Sequence, residues 1–329
     1  DVKNKRFASL PDLLKPGELL YDADAVCIGE LHTSQSDHTV QRLIIDALTY
    51  QLFLDLRQEQ SVDPTAMKGV VAQNASPHRI SVGVEYFSRF QQQVLDDYIF
   101  VNKKETLDEL RENSEWDSVW NYDWRLYAPL FRFCKLNATK VIGMNLPSEW
   151  SLEVSRNGLN SVPPELREVL PDVDLSNVKH RRRFEDMLKM PVEDAVTRMA
   201  LPADGYKQNP KLDKIYESQA LWDEYMAETA SKYLGYRGGR MVVLAGVNHV
   251  WRDAIPDRLE ANARKAGTPL RAVSVQPWRG AFEPSALPSC ADYLWCDDCP
   301  GGGKAVSEAM VEQRKRLVGK SRVFPAGYI

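Results

Sequence analysis

Histidine and cysteine are scarce in this sequence. Its 329 residues include five histidines and five cysteines. An odd number of widely spaced cysteines favours reduced thiols over a disulfide scaffold, although Cys296 and Cys299 form a CxxC pair. No apolar run reaches the roughly 18 residues that a transmembrane helix needs. We therefore expect a soluble protein of a reducing compartment, without a transmembrane segment.

Several common ligand-binding signatures are missing as well. The sequence has no GxxxxGK[ST] phosphate loop, no GxSxG nucleophile elbow and no HExxH zinc helix. No GxGxxG follows an apolar run, which excludes the simplest dinucleotide site. The net charge of −4 lacks the basic excess that is typical of nucleic-acid-binding proteins. We expect no nucleic-acid partner.

Short apolar runs alternate with amphipathic stretches along the chain. Runs of this kind, which predict buried strands, lie at 23–29, 80–87, 140–146, 240–250 and 270–278. Helical periodicity is clearest at 38–57 and at 213–234. This alternation predicts an α/β fold with a mainly parallel sheet, flanked by helices, around a single core.

The domain organisation follows from shifts in composition. We predict one α/β domain over residues 1–280, with a polar insertion at 58–79 and a variable helical region at 159–212. Residues 281–329, which contain the CxxC pair, are looser in composition and are predicted to be a C-terminal extension. A tail of this kind could serve a protein partner, and in that case the main domain need not retain an active cleft.

Two of the predicted strands end in the same GxxH pattern. GELH at 29–32 follows the first strand, GVNH at 246–249 follows the fourth, and Glu85 ends the second. In an open parallel sheet, ligands bind outside the carboxyl ends of the strands. The pattern therefore predicts a ligand-binding cleft at this edge. Its residues are Gly29, Glu30, His32, Glu85, Arg89, Gly246, Asn248 and His249.

The residue types at this edge allow a second interpretation. Imidazole and carboxylate groups bind first-row divalent metals, and a metal with an open position can activate water. Glu30 and His32 are two residues apart, so both side chains lie on one face if the strand continues. The alternative prediction is a divalent metal held by Glu30, His32, Glu85 and His249, which would make the protein a hydrolase.

The remaining histidines carry weaker predictions. His38 begins the helix after the first GxxH turn, where it either reaches the cleft or caps the helix. His78 lies in the polar insertion and His180 in a basic run, so both are predicted to be surface residues.

Aromatic residues are concentrated between residues 116 and 127. The set consists of Trp116, Trp120, Tyr122, Trp124 and Tyr127. Aromatics at helical spacing usually belong to a core, but this abundance also suits a flat apolar ligand such as a porphyrin. Tyrosinate can ligate haem iron axially. The candidates for an axial ligand are Tyr86, Tyr98 and Tyr122.

Six sequence blocks between residues 20 and 278 resemble a known family. They read CIGELHTSQSDH, GVEYFSRFQQQVLDDYI, WDSVWNYDWRLYAPLFRFCK, VIGMNLP, SQALWDEYMAE and VVLAGVNHVWRDAIPDRL. Blocks of this kind occur in the same order in the ChaN-like haem-binding uptake proteins. These proteins belong to a wider group with the TIKI and TraB proteins and the erythromycin-esterase-like enzymes.

The resemblance implies a compact α/β fold in which both GxxH turns line one cleft. For the ChaN-like branch it implies haem, or a related tetrapyrrole, bound between the subunits of a homodimer through tyrosine. The expected role is then uptake, storage or trafficking rather than catalysis. For the TIKI branch it implies a metal-dependent protease that uses the GxxH histidines and nearby glutamates.

Individual positions of the family blocks can be carried over to this sequence. The matching positions are Gly29, Glu30, His32, Glu85, Arg89, Gly246 and His249, with Trp116, Trp120 and Asp223 in further blocks. Bacterial ChaN-like sequences commonly carry a tyrosine shortly after the second GxxH, whereas this chain reads VWRDAIP there. A haem ligand at that place would be lost.

The insertion and the tail also bear on where the protein works. Both exceed what is expected of the short bacterial lipoproteins, and no anchor is visible in the sequence. We therefore expect a chloroplast relative. The alternative is a bacterial envelope lipoprotein whose presequence has been removed.

Overall fold

The structure is a computed structural model that describes residues 1–4, 8–62, 80–188, 212–279 and 291–295. Most of the predicted insertion, including His78, lies outside the described residues. The same holds for Cys290, Cys296 and Cys299 and for nearly all of the predicted tail.

The described residues form one six-stranded sheet in which all neighbouring strands are parallel. The strands are β1 (Ala25–Glu30), β2 (Ile80–Ser88), β3 (Lys140–Asn145), β4 (Arg240–Gly246), β5 (Ala272–Pro277) and β6 (Tyr293–Trp295). Their order across the sheet is β3-β2-β4-β1-β5-β6. Strands β1 to β5 are buried almost throughout, as parallel strands are when helices cover both faces of the sheet. The predicted fold class is confirmed.

Helices connect the strands. They are α1 (Leu10–Leu13), α2 (Gln35–Val62), α3 (Gln92–Asp96), α4 (Leu107–Asn113), α5 (Trp116–Val119), α6 (Trp124–Leu136), α7 (Ser148–Asn157), α8 (Pro164–Arg167), α9 (Val178–Leu188), α10 (Leu212–Arg237) and α11 (Ile255–Lys265). Short 3₁₀ turns occur at Arg89–Gln91, Leu159–Ser161 and Val247–His249, and a π turn at Asp97–Val101. Among the described residues, none of these helices is both long and apolar enough to span a membrane.

The two largest apolar clusters of the core lie on opposite faces of the sheet. On one face, α2 and α6 pack with the aromatic residues Trp116, Trp124 and Tyr127 against β1, β2 and β4. On the other face, α10 and α11 cover the alternate side chains of β1 and β4, such as Cys27 and Val243. Both faces are thus closed by helices, and the carboxyl edge is where polar side chains collect.

The predicted elements agree with the structure in their centres and differ at their ends. The helix expected at 38–57 is the middle of α2, which extends to Val62, beyond the start of the predicted insertion. Strand β6 lies beyond the boundary predicted at residue 280, and Tyr293 joins the core. The division into an α/β domain and an extension stays a prediction, with Tyr293–Trp295 of the tail forming part of the sheet.

A register shift in β2 helps to position the site. Val84 pairs with Gly143 of β3, and the next pair joins Ser88 to Asn145, so β2 has more residues than β3 in this interval. The extra residues form a bulge that includes Glu85. Bulges often change the direction of side chains near functional sites. Gly143 permits the bulge because a Cβ there would collide with the carbonyl oxygen of Ser88.

Candidate functional site

Strand β4 lies between β1 and β2, and this order brings the two GxxH turns and Glu85 together. Glu30 pairs in register with Gly246, and Val84, beside Glu85, pairs with Leu244. A Cβ built on Gly246 would lie 3.0 Å from His32 Cε1 and 3.6 Å from Glu85 Oε2. His32 and Glu85 therefore meet over Gly246, where the missing side chain leaves room for the imidazole ring.

Glu30 is the centre of the first hydrogen-bond network. Its carboxylate accepts from His32 Nδ1 at 2.9 Å, Gln41 Nε2 at 2.7 Å and the Tyr127 hydroxyl at 3.1 Å. His38 Nδ1 lies 3.4 Å from Glu30 Oε2, and His38 Nε2 lies 3.1 Å from the His32 carbonyl oxygen. His38 thus belongs to the same network. These contacts fix the His32 ring with its Nε2 turned towards Gly246.

Glu85 begins a second network, on the other side of Gly246. Glu85 Oε2 accepts from the Gly246 N–H at 2.6 Å, and Glu85 Oε1 lies 3.3 Å from His249 Nε2. His249 Nδ1 is 2.6 Å from Asp223 Oδ1. His180 Nε2 is 2.8 Å from the other oxygen of Asp223. All four side chains are buried, so the two histidines share a carboxylate that water does not reach.

Electrostatics favours the charged forms within these networks. Burial alone would raise the pKa of Glu30, but His38, His32 and Gln41 outweigh it and lower that pKa. Burial would lower the pKa of His249, whereas Glu85 and Asp223 together raise it. The pKa of Asp223 is lowered, because its two histidines outweigh its burial. The site therefore holds buried ionised carboxylates paired with imidazoles.

His180 is not a surface residue, and that prediction is wrong. It is 1% exposed, and its Nδ1 lies 3.1 Å from the Tyr216 hydroxyl. The basic run around His180 lies on α9, and one side of this helix faces the interior because α9 packs against α10. The sequence contains a signal for this contact: Tyr216, Gln219 and Asp223 follow one another at spacings of three and four on one helix face.

Other predicted residues of the cleft have supporting contacts. Arg89 stacks on the Tyr225 ring at 3.7 Å and donates to Glu228 at 3.1 Å, so it attaches the turn after β2 to α10. Asn248 is buried, and its backbone carbonyl oxygen accepts from Arg183 Nη1 at 3.4 Å. Gly29 lies in β1, where a Cβ would collide with the Gln276 side chain.

The three candidate tyrosines lie in different environments. Tyr98 is buried with the Lys135 ammonium 4.1 Å from its ring centroid; its raised pKa of about 12 reflects burial, with Cys134 and Glu105 nearby. Tyr86 is 2% exposed, and its hydroxyl has no hydrogen-bond partner among the described residues. Tyr122 is half-buried, and its ring centroid lies 4.7 Å from that of His32. Tyr122 alone of the three combines contact with His32 and partial exposure.

The aromatic set divides between the core and the site. Trp116, Trp124 and Tyr127 are buried in the core, as aromatics at helical spacing usually are. Trp120 is half-buried, and its ring packs edge-on against His32 at 5.0 Å between centroids. Trp120 and Tyr122 therefore border the His32 imidazole.

The alternative metal site finds no support in the geometry. Over the described ranges, no three or more histidine, cysteine, aspartate or glutamate side chains are grouped so that they could hold a metal ion. Glu30 and Glu85 are instead engaged by hydrogen bonds from His32 and from the Gly246 backbone.

The fold and the site together define a parallel α/β protein with two GxxH turns and a glutamate at the carboxyl edge of its sheet. The chain belongs to the family described as haem-binding uptake, Tiki superfamily, ChaN, whose model matches residues 18–259. No curated protein sequence matches the chain significantly.

Solved structures resemble this chain to different degrees, and the likeness to a ChaN shows a shared fold. ChaN of Campylobacter jejuni, in a structure described as cofacial haem binding, is 19% identical and has a TM-score of 0.60; the match covers 89% of this chain and 94% of that one. A mutant of the erythromycin esterase EreC in its open conformation is 12% identical over 84% of this chain and 75% of that one, with a TM-score of 0.39. A Bacillus cereus protein is 16% identical over 82% and 69%, with a TM-score of 0.36.

Proposed function

We propose that this protein binds haem at the carboxyl edge of its sheet, with Tyr122 as the axial ligand and His32 beside it. The observation that carries the proposal is the contact between a half-buried phenol and a histidine that Glu30 holds in a fixed orientation. Membership of a haem-binding uptake family and the likeness to a haem-binding ChaN support it. The predicted role is uptake, storage or trafficking of haem.

The residues present fit haem by the chemistry of their donor atoms. Phenolate and imidazole are both axial ligands of haem iron. Trp120 and Tyr122, which border His32, offer flat apolar surface for a porphyrin. When bound, haem would supply a ferric iron that such a donor can ligate.

The charge state of Tyr122 sets a condition on binding. Burial raises the pKa of Tyr122 to about 12, and the carboxylates of Glu85 and Glu30 add to the shift. The phenol must release its proton to ligate iron. Binding through Tyr122 is therefore expected to strengthen as pH rises.

A titration with ferric haem tests the proposal. We expect the wild-type protein to shift the Soret band, and Tyr122→Phe to weaken binding at least about tenfold, since changes even outside the ligand shell cost 10–100-fold. Tyr98→Phe is the matched control, because Tyr98 is buried against Lys135 and should leave the titration unchanged. The proposal fails if the wild-type protein binds no haem, or if Tyr122→Phe binds as tightly as wild type.

A homodimer and a chloroplast location remain finer parts of the proposal. The relative from Campylobacter jejuni is described as binding haem cofacially. If this chain pairs two haems in the same way, its mass in solution should double on haem addition in the wild type and not in Tyr122→Phe. Light scattering with and without haem measures this.

Imaging a tagged full-length chain tests the proposed chloroplast location.

A further inference from the structure

Tyr122 lies on a short connecting turn rather than in a helix or a strand. The turn, residues 120–123, joins α5 to α6, and Asn121 within it has a left-handed φ of 60°. A residue other than glycine keeps such a conformation where the surrounding structure holds it there. The Asn121 side chain is exposed, so the contacts that fix the turn come from its neighbours.

Trp116 makes three hydrogen bonds with this turn. Its backbone carbonyl oxygen accepts from the Trp120 N–H at 2.9 Å and from the Asn121 N–H at 3.1 Å. Its side chain extends further along the turn, where Nε1 donates to the carbonyl oxygen of Tyr122 at 2.7 Å. The backbone of residues 120–122 is thus bound to a single residue, on both sides of the left-handed Asn121.

Trp116 is itself held firmly by the core. It is 1% exposed, and its ring centroid lies 4.8 Å from that of Tyr127 and 4.9 Å from that of Trp124. Phe87 of β2 packs on it from the sheet, at 5.8 Å between centroids. An indole in these surroundings has little freedom, because protein cores are packed as densely as organic crystals. The hydrogen bond from Trp116 therefore fixes the Tyr122 carbonyl group relative to the core.

The side chains of this turn lie against His32. The ring centroids of Tyr122 and Trp120 are 4.7 and 5.0 Å from that of His32, and 5.4 Å from each other. Connecting segments are more mobile than the elements that they join. A half-buried phenol on such a segment would leave His32 if its backbone moved. The bond from Trp116 opposes that movement.

We propose that Trp116 is the positioning residue for Tyr122: its indole N–H fixes the turn so that the phenol stays against His32. For haem binding, this arrangement orders the donor before the iron arrives, which lowers the entropic cost of ligation. The effect on ligation rests on the proposed function, whereas the effect on the contact between Tyr122 and His32 does not.

Replacing the indole N–H alone tests the hydrogen bond. Benzothienylalanine has the shape of tryptophan with sulfur in place of the N–H, and it can be introduced instead of Trp116. In haem-free protein labelled at histidine and tyrosine, we expect loss of the NOE between the rings of His32 and Tyr122. Trp116→Phe should lose it as well, and urea unfolding verifies that each variant is folded.

Trp124→Phe is the matched control, because Trp124 belongs to the same aromatic cluster and stacks on Phe131. It should retain the NOE. An unchanged NOE in the benzothienylalanine protein, or an equal loss in Trp124→Phe, overturns the proposal.

The left-handed residue gives a second test, at an exposed side chain. A β-branched residue disfavours a positive φ, so Asn121→Val should displace the turn and remove the NOE between His32 and Tyr122. Ala138, after α6, is also exposed and has a φ of 48°. Ala138→Val adds the same backbone strain there and should retain the NOE. Equal His32 spectra in the two valine variants contradict a positioning role of the turn.

Haem titration separates this inference from the proposed function. If Tyr122 ligates haem, the benzothienylalanine protein should bind haem about tenfold more weakly than wild type, as happens when groups that orient metal ligands are removed. Trp124→Phe should bind as wild type does. Unchanged affinity in the benzothienylalanine protein, beside a loss in Tyr122→Phe, overturns the positioning role. If wild type binds no haem, the proposed function fails, and the NOE comparison alone supports or overturns the inference.

Discussion

Gly246 determines how closely the two networks approach. Its Cα faces His32 so directly that a Cβ would lie 3.0 Å from the ring, although its φ of −55° suits any residue. We expect Gly246→Ala to displace the His32 ring and to lower the free energy of unfolding by about 1–3 kcal/mol. Histidine NMR shifts and urea unfolding measure the two effects.

A second glycine supplies the control for that prediction. Gly235 lies inside α10, where a Cβ would meet only the Thr268 hydroxyl oxygen, at 3.2 Å. Gly235→Ala should leave the His32 signals unchanged and should not destabilise the protein, because alanine is favoured in a helix. Unshifted His32 signals in Gly246→Ala would show that the close approach does not constrain the ring.

The pairing of His249 with two carboxylates predicts a pH dependence of stability. Its pKa in the folded protein is raised above 6.5, since Glu85 and Asp223 outweigh its burial. The contribution to stability is then full below pH 6.5 and is lost as pH rises through the folded pKa. Urea unfolding of wild type and His249→Gln between pH 6 and 9 measures this. The wild-type advantage should shrink with rising pH, and a constant difference would contradict the assignment.

At the scale of elements, one buried contact joins α9 to α10. His180 on α9 lies 2.8 Å from Asp223 on α10, and both side chains are at most 1% exposed. We expect His180→Ala to lower the free energy of unfolding by about 2–4 kcal/mol, because it leaves a cavity and removes a partner of a buried carboxylate. The same loss should change the NMR signals of His249 on the other side of Asp223.

The neighbouring residue on α9 provides the comparison. Arg181 pairs with Glu185 and Asp213, and its side chain is 28% exposed. Arg181→Ala should cost less than about 1 kcal/mol, because both partner carboxylates reach solvent, where ion pairs contribute little. Similar losses in the two variants would show that His180 contributes no more than a surface residue.

At the scale of the whole molecule, the sheet gains its last strand from the tail. Tyr293 of β6 is buried, and the Asp292 carboxylate accepts from the Ser274 N–H at 2.8 Å. A chain ending at Arg279 should lose about 2 kcal/mol or more from the burial of Tyr293. It should also associate through the exposed edge of β5. Thermal unfolding and light scattering measure both effects.

A chain ending at Trp295 is the matched truncation. It keeps β6 and lacks residues 296–329, so its unfolding separates the contribution of β6 from that of the rest of the tail. If both truncations behave alike, β6 does not stabilise the sheet.

Local patterns were sufficient for the first five strands and for the centres of α2 and α10. The apolar runs before residues 29, 85 and 246 identified β1, β2 and β4, because fully buried parallel strands require continuous apolar sequence. The GxxH repeat likewise placed His32 and His249 at one edge. The end of α2, the strand β6 and the inward side of α9 depend on packing between distant segments, which a local pattern does not encode.

The sequence by itself determined the parallel α/β class and the residues that follow the strands, since strand burial and chain direction are local properties. Only the tertiary structure decided which side chains meet there. The order β2-β4-β1 sets Glu85 beside Gly246 and His32, and α9 brings His180 to Asp223. The tertiary structure also distinguished the three candidate tyrosines. Their burial and their distance to His32 depend on how α6 and its preceding turns pack on the sheet. Contacts between residues that are far apart in sequence require loops to close around a shared core. Which of these contacts form therefore depends on the packing of the whole molecule.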